Sequence, residues 1–303
     1  MSEFTNFRER HFPFDQRGGA QVWPNRARMA VLLYIAAEDW QWDRIEQFGV
    51  PGGRYMPTET RPSLSTYSTI KYGFEIGLYR MRDILKERGI KVTLWTTGNA
   101  VERHPEIIKE FSVLGHEIGA HGYSEGMPLS AMSRENQREN IRKTVEIISN
   151  TTGKKPVSWL GPVAMCNEDT IELIAEEGFI CNGDLYNDEL PYFIDVKGKT
   201  LVEIPYRYVG NINDNFMTIY HLEHIEDMLI HLKSAFDAYY REASIRPLIF
   251  IYGTHHFVSG RPDTAFVFRT FLDYLQQFKD VWIATYDEMA KWWIEKFNKG
   301  YKL

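Results

Sequence analysis

The sequence predicts an α/β fold whose parallel sheet closes, or nearly closes, into a barrel. Three observations lead there. Short apolar runs alternate with amphipathic helical stretches along the chain. The runs are apolar at almost every position, as strands covered by helices on both faces must be. Acid and imidazole side chains end several runs that are far apart in sequence, and a barrel gathers such ends at one mouth. An open doubly wound sheet is the alternative. No glycine-rich phosphate loop follows the first strand, so a dinucleotide site is unsupported.

The elements follow in order. Arg28 to Ala36 is the first strand, and about Gly49 to Pro62 is a loop. Tyr67 to Arg88 has helical spacing and stops at Gly89, a natural C-cap. Lys91 to Thr96 is the second strand, and Pro105 to Leu114 is a helix with proline in its first turn. Gly115 to Ala120 is a short buried strand that leads into His121. Ser133 is a good N-cap for a helix running to about Asn150. Pro156 to Leu160, Phe179 to Cys181 and Leu201 to Pro205 are strands, with a helix from Asn167 to Glu177 closed by Gly178. His221 to Arg241 is a long helix, and Pro247 to Tyr252 is a fully apolar strand. Asp263 to Phe278 is a helix, Val281 to Ala284 the last strand, and Tyr286 to Phe297 the last helix. Roughly seven strands alternate with helices in this reading.

The chain has 303 residues, enough for one large barrel or two ordinary domains. It shows no long linker, low-complexity tract or repeat, so a single domain is expected, 1–303, with a core of about 28–290 and an N-terminal arm, 1–27. Net charge is −6, which gives no basic stripe for a nucleic-acid partner. Cys166 and Cys181 form no Cys-x-x-Cys pair and read as reduced thiols, with a disulfide between them open. The first residues lack the apolar segment of a signal peptide, so a cytoplasmic location is expected. No run of 18 apolar residues occurs, so no membrane association is expected.

The chemistry concentrates at strand ends. Glu38-Asp39 ends the first apolar run. Neighbouring residues on a strand point to opposite sides, but at its end both can turn into the mouth. There, repulsion would raise one carboxyl and suit it to general-base work; the other reading is two solvated loop acids. His121 and Glu125 stand four apart and, with an Asp from elsewhere, make a mixed nitrogen and oxygen set for zinc or another divalent ion. A hydrogen-bonded core histidine and a surface acid are the ordinary alternative. His116, earlier in the same strand, reads as buried and structural. Asn182 to Tyr192 is a loop dense in carboxylates and amides, able to orient a polar substrate or to be an acidic turn. His255 ends the most apolar strand and suits a general acid. Arg207 and Arg261 could clamp an anion or form salt bridges. His221, His224 and His231 read as cap and surface residues, and Trp292, Trp293 and Phe297 as core or subunit contact.

These residues together resemble the polysaccharide-deacetylase superfamily, the NodB-homology group, over about residues 28 to 290. Members carry Thr-Phe-Asp-Asp-Gly after the first strand, a base followed by a metal ligand. Ala37-Glu-Asp39 occupies that place, so the resemblance makes Glu38 the base and Asp39 the ligand, with Trp40 where the glycine stands. The family's His-x-x-x-His becomes His121-Gly-Tyr-Ser-Glu125. Within the superfamily the allantoinase and cyclic-imidase branch is most similar, in Gly115-His-Glu-Ile-Gly119, in Asp184 to Tyr192, and in His255 followed by Gly260-Arg-Pro262 and Phe271-Leu-Asp-Tyr274.

The resemblance implies a distorted (β/α)7 barrel of the NodB-homology type. It also implies a hydrolase of a non-peptide C–N bond, opening a small cyclic amide or imide by attack of activated water. Glu38 and His255 would be catalytic. Asp39, His121 and Glu125 would hold a metal if one is bound, either none or one divalent ion with zinc the first choice. Trp40, Tyr123, Asp184, Tyr186, Asn187 and Arg261 would contact the small-molecule amide substrate. A homo-oligomer is expected. The alternatives are a metal-dependent N-deacetylase of an acetamido sugar and a catalytically silent ligand-binding barrel.

Overall fold

The computed structural model describes residues 6–41, 64–206, 212–214 and 224–297. Arg207, His221 and the loop of 49–62 lie outside the described residues. The frame is a curled, mostly parallel sheet with helices packed on its outer face. Its central strand is β2, Met29–Ala37, after a short β1, Arg8–Arg10. The next strands are β3, Thr93–Thr96, β4, Glu117–Ala120, β5, Ser158–Trp159, and β6, Cys181–Asn182. A hairpin of β7, Tyr192–Val196, and β8, Lys199–Glu203, follows. The last strands are β9, Ile249–His255, and β10, Val281–Ala284.

The pairing shows how β2 organises the rest. Ala30 pairs with both Ile249 of β9 and Trp282 of β10, so those strands lie on opposite edges. Ile35 pairs with Thr254 of β9 and Leu94 of β3. One edge of β2 therefore holds β9, and the other holds β10 along its first half and β3 along its second. From β3 the sheet continues through β4, β5 and β6 to β8, all parallel, and ends in the antiparallel strands β7 and β1. No ladder joins β8 to β9 among the described residues, which leaves the barrel distorted.

Every residue of β2 is buried, and its two faces belong to different cores. Ala30, Leu32, Tyr34 and Ala36 pack inward with Trp95, Val202, Ile249 and Ile251. Met29, Val31, Leu33, Ile35 and Ala37 pack outward against the helices. Strict alternation fixes this division.

The helices are α1, Leu64–Tyr72, α2, Leu78–Arg88, α3, Gly98–Arg103, and α4, Pro105–Val113. Then come α5, Arg134–Thr152, α6, Glu168–Glu177, α7, Ile225–Glu242, α8, Pro262–Leu275, and α9, Tyr286–Phe297. Ser133 caps α5 through its side chain, and Gly89, Gly153 and Gly178 close their helices in the left-handed conformation. The single helix expected from Tyr67 is interrupted by a π turn, Gly73–Gly77. A Cβ on Gly73 would meet the His256 ring at 2.3 Å, and one on Gly77 would meet the His256 carbonyl oxygen at 2.1 Å. Glycine lets this helix lie directly on the end of β9.

Residues 6–27 pack against the barrel. β1 extends the sheet, and Trp23 packs on Trp293 at the foot of the barrel. The aromatic face of α9 is thus internal packing against the chain's own N-terminal segment. His11 fastens this segment to the 184–192 loop. Its Nδ1 donates to Asp188 at 2.6 Å, its Nε2 lies 3.0 Å from Glu9, and its ring stacks on Tyr192. The Asp188 bond, with help from Glu9, outweighs burial and raises His11 above its ordinary value. Burial pushes Asp188 up, but His11 and Arg17 outweigh it and hold the carboxyl down at about 2.

The signs set the pH window. The raised histidine stabilises fully below its unfolded value of about 6.5, and that stability is lost as pH climbs through its folded value. The depressed carboxylate stabilises above about 3.9 and loses its contribution as pH falls through its folded value. His11→Gln should therefore lower the melting temperature most between about pH 4 and 6.5. The gap to wild type should narrow as pH rises through the folded value of His11; a constant gap in thermal melts over that rise would remove the ionic account.

Candidate active site

Alternation along the strands delivers the reactive groups. In β2 the even positions face inward, so Glu38 continues that face just past the strand while Asp39 turns away. In β4 the inward positions are Glu117 and Gly119, and His121 is next in phase. In β9 they are Ile249, Ile251 and Gly253, and His255 is next. The three side chains meet at the mouth. Glu38 Oε1 lies 3.2 Å from His121 Nε2 and 3.7 Å from His255 Nε2. Glu125, from the loop after β4, places Oε2 2.9 Å from His121 Nε2. All four residues are buried.

Each imidazole is oriented from behind. His121 Nδ1 lies 2.6 Å from the Leu160 carbonyl oxygen, which can only accept, so Nδ1 carries the proton. Nε2 is left facing two carboxylates. His255 Nδ1 donates to Asp214 Oδ1 at 2.7 Å. Asp214 Oδ2 accepts from the His255 and Ser259 N–H groups and from Ser259 Oγ, at 2.6 to 3.1 Å. Neighbouring His256 points the other way. Its Nδ1 donates to the Ala36 carbonyl, and burial holds the ring neutral, down at about 3.

Electrostatics separate the groups. Burial alone would push Glu38 up, but the charges of His255 and His121 outweigh it and hold the carboxyl below its usual range. Burial pulls both imidazoles down, yet the facing carboxylates lift His121 to about 10 and His255 to about 9. Burial, with the Glu38 charge beside it, raises Glu125 to about 7. Near neutral pH the mouth therefore holds an ionised acid next to protonated imidazoles, a base and an acid side by side.

The trio Glu38, His121 and Glu125 offers three ligand atoms within 4.8 Å of one another. His121 Nε2 and Glu125 Oε2 are buried and face each other at 2.9 Å. One imidazole nitrogen and two carboxylate oxygens suit zinc or a similar divalent ion, and an Nδ1–H tied to a backbone carbonyl is the usual support for a ligating histidine. The residues fit such an ion. The set differs from the expected one, because Asp39 is not in it. Its Oδ2 pairs with Arg103 at 2.7 Å, and its Oδ1 accepts the Trp40 N–H. The Asp39 carbonyl accepts the Glu125 N–H at 3.1 Å, so this residue fastens the strand end to the loop carrying Glu125. Glu125 Oε1 accepts from the N–H of Val163, a β-branched residue at φ 59°. Backbone strain of that kind costs about 1–3 kcal/mol and collects at functional sites.

The remaining expected contacts divide. Trp40 and Phe257 stack edge to face at 6.1 Å beside His255, and the Trp40 Nε1 is buried without a partner. Tyr123 turns away from the trio, donating to Glu102 with the Lys143 ammonium over its ring. Asp184 is buried, its Oδ1 accepting the Gly161 N–H at 2.6 Å. Tyr186 is exposed and donates to the Ala164 carbonyl. Asn187 bonds Glu9 and Tyr192, facing the N-terminal segment. Arg261 N-caps α8, bonds the Phe257 carbonyl and lies over Tyr72. His116 is buried and held neutral, at about 4. His224 and His231 are exposed at and on α7, and both cysteines are free.

Asp214 and Arg103 were not legible beforehand. Asp214 stands in Asn211-Ile-Asn-Asp-Asn215, a polar stretch with no periodic pattern, and reaches the site only because Asn213 bridges to Gly253 of β9.

Comparison with known proteins agrees with this arrangement. Residues 62–180 match the family model for polysaccharide deacetylase. A Schizosaccharomyces pombe protein whose name places it in the same family is 26% identical, over 90% of this chain and 92% of that protein. A peptidoglycan deacetylase of Helicobacter pylori is 26% identical, over 71% of this chain and 83% of its own length. The crystal structure of PuuE allantoinase superposes with a TM-score of 0.82 at 26% identity, covering 92% of this chain and 94% of that one. The barrel, the strand-end residues and the sequence similarity are in accord, and residues 62–180 carry the polysaccharide deacetylase match.

Proposed function

We propose that this chain hydrolyses a non-peptide C–N bond and that its substrate is a small cyclic amide or imide of the allantoin kind. The observation that supports this most is the placing of the Glu38 carboxylate between the Nε2 atoms of His121 and His255. An ionised acid there can take a proton from water as it attacks the carbonyl carbon. His255, cationic and aimed by Asp214, then gives a proton to the departing ring nitrogen. With a proton at Nε2, His121 is a cation beside the tetrahedral oxyanion. A divalent ion, where bound, would be held by Glu38, His121 and Glu125 and would supply Lewis-acid polarisation and a more acidic water. Trp40 and Phe257 give one side of the site an apolar, aromatic wall suited to a small ring.

The similarity to PuuE allantoinase over nearly the whole chain supports the cyclic substrate. The second reading, an N-deacetylase of an acetamido sugar, is favoured by the similarity to a peptidoglycan deacetylase and by a groove of about 460 Å³. That groove is lined by Gln41, Tyr123, Met132, Asn136 and Lys143 and could take the flank of a longer substrate.

A panel of hydantoins, cyclic imides and acetylated sugar oligomers separates the two. Turnover of ring amides alone is expected, and turnover of acetylated oligomers alone would reject the cyclic assignment. With the true substrate, kcat/KM should fall at low pH as Glu38 gains a proton, and above about pH 9 as His255 loses one. A profile flat through that alkaline limb would remove His255 as the acid.

A further inference from the structure

We propose that Asp184 is a positioning residue for His121, acting on it through the Leu160–Gly161 peptide group. Asp184 Oδ1 accepts the Gly161 N–H at 2.6 Å. The carbonyl at the other end of that same peptide group belongs to Leu160, and it accepts the His121 Nδ1–H, also at 2.6 Å. Both bonds are shorter than an ordinary N–H···O contact, as charge-assisted ones are. No hydrogen bond or ion pair joins Asp184 to His121 directly. The carboxylate therefore addresses the imidazole through a backbone amide, in place of the direct carboxylate–histidine contact that commonly supports a ligating or catalytic ring.

The physics favours transmission. A carboxylate accepting the N–H pulls electron density toward the carbonyl oxygen, which becomes a stronger acceptor for the imidazole proton. Water is excluded, since Asp184 is 2% exposed and His121 3%. Gly161 admits the approach, because a Cβ there would stand 3.1 Å from Asp184 Oδ2. Burial raises Asp184 only to about 6, which leaves it ionised near neutral pH. The effect is to hold the Nδ1–H in place and so to aim Nε2, the atom that faces Glu38 and Glu125. The inference rests on the reading of His121 as part of the site, but its first test does not require turnover or metal.

That test is the Nδ1–H proton resonance of His121, read by NMR on histidine-labelled full-length protein. Asp184→Asn keeps the size and a neutral acceptor for the Gly161 N–H. If Asp184 only anchors the loop, Asn rescues it and the resonance stays. If the charge is relayed, the resonance moves upfield in the Asn variant while circular dichroism is unchanged. Zinc titration gives a second readout, with binding weakened by roughly ten- to hundred-fold, as for other supporting partners. Should wild type bind no zinc, the metal reading of the trio fails, and the proton resonance still decides the relay. Should Asp184→Asn not fold, Asp184→Ser removes the charge with a smaller polar group and is read in the same way. A wild-type His121 resonance in whichever variant folds overturns the proposal.

Discussion

Glu38→Gln should lower kcat by about 10²–10⁴-fold, the range lost when a positioned general base is removed. Gln fills the same space, and its carbonyl can still accept from one imidazole, but the amide cannot take a proton from water. A second consequence separates this from a simple packing defect. Burial pulls His255 down, and the Glu38 charge is the largest of the influences that raise it to about 9. Without that charge His255 should titrate lower, so the alkaline limb of residual activity should move toward neutral pH. His121, lifted to about 10 by Glu125 and Glu38 together, should move the same way by less. Stopped assays across pH, with circular dichroism to check the fold, measure both. Near wild-type kcat, or an unmoved alkaline limb, would remove Glu38 from the centre of the mechanism.

The second large effect is expected at Asp214→Asn. Asp214 accepts four hydrogen bonds, from His255 Nδ1, the His255 N–H, the Ser259 N–H and Ser259 Oγ. An amide has one acceptor oxygen, and its NH2 must confront donors that a carboxylate accommodates. The His255 ring then loses the partner that fixes its tautomer and aims Nε2 at the site. The corresponding change in the serine-protease triad lowers kcat about 10⁴-fold, and a loss of that order, with KM little altered, is expected here. Because Asp214 acts through His255, the two losses should not add. The double variant Asp214→Asn/His255→Ala should be no slower than His255→Ala alone. Additive losses would mean that Asp214 does its work elsewhere.

Much of the scaffold was readable from residue order. β2, β10, α5, α6 and α9 fall within a residue or two of where apolar runs, Ser133, Gly178 and the aromatic stripe place them. Local rules sufficed there, because a buried strand or a capped amphipathic helix carries its own pattern. The misses have a common cause. β1 is three residues long and exists only by pairing with β7, and β7 begins at the end of a loop dense in carboxylates and amides. The π turn in Gly73–Gly77 is imposed by the His256 ring, 183 positions beyond Gly73, and no local signal announces it.

The candidate site divides along the same line. Glu38, His121, Glu125 and His255 could be singled out because acids and imidazoles closing apolar runs are chemically conspicuous. The exchange of Glu38 for Asp39 beside His121 keeps the parity of the strand, since inward-facing Ala36 is two residues before Glu38. Sequence left that open, because a strand that has ended no longer dictates direction. Only the Arg103 guanidinium and the Trp40 N–H, both on Asp39, decided it.

By itself, the order of residues determined which segments become buried strands and helices and which reactive groups stand at their ends. These outcomes depend on hydrophobic period and capping, which act within a few residues. The tertiary structure alone decided which carboxylate meets which imidazole, and which distant groups, Asp214 behind His255 and the Leu160 carbonyl behind His121, fix the rings. Hydrogen bonds and charge interactions fall off over a few ångströms, so they are set by where the folded chain returns and not by how far apart residues stand along it.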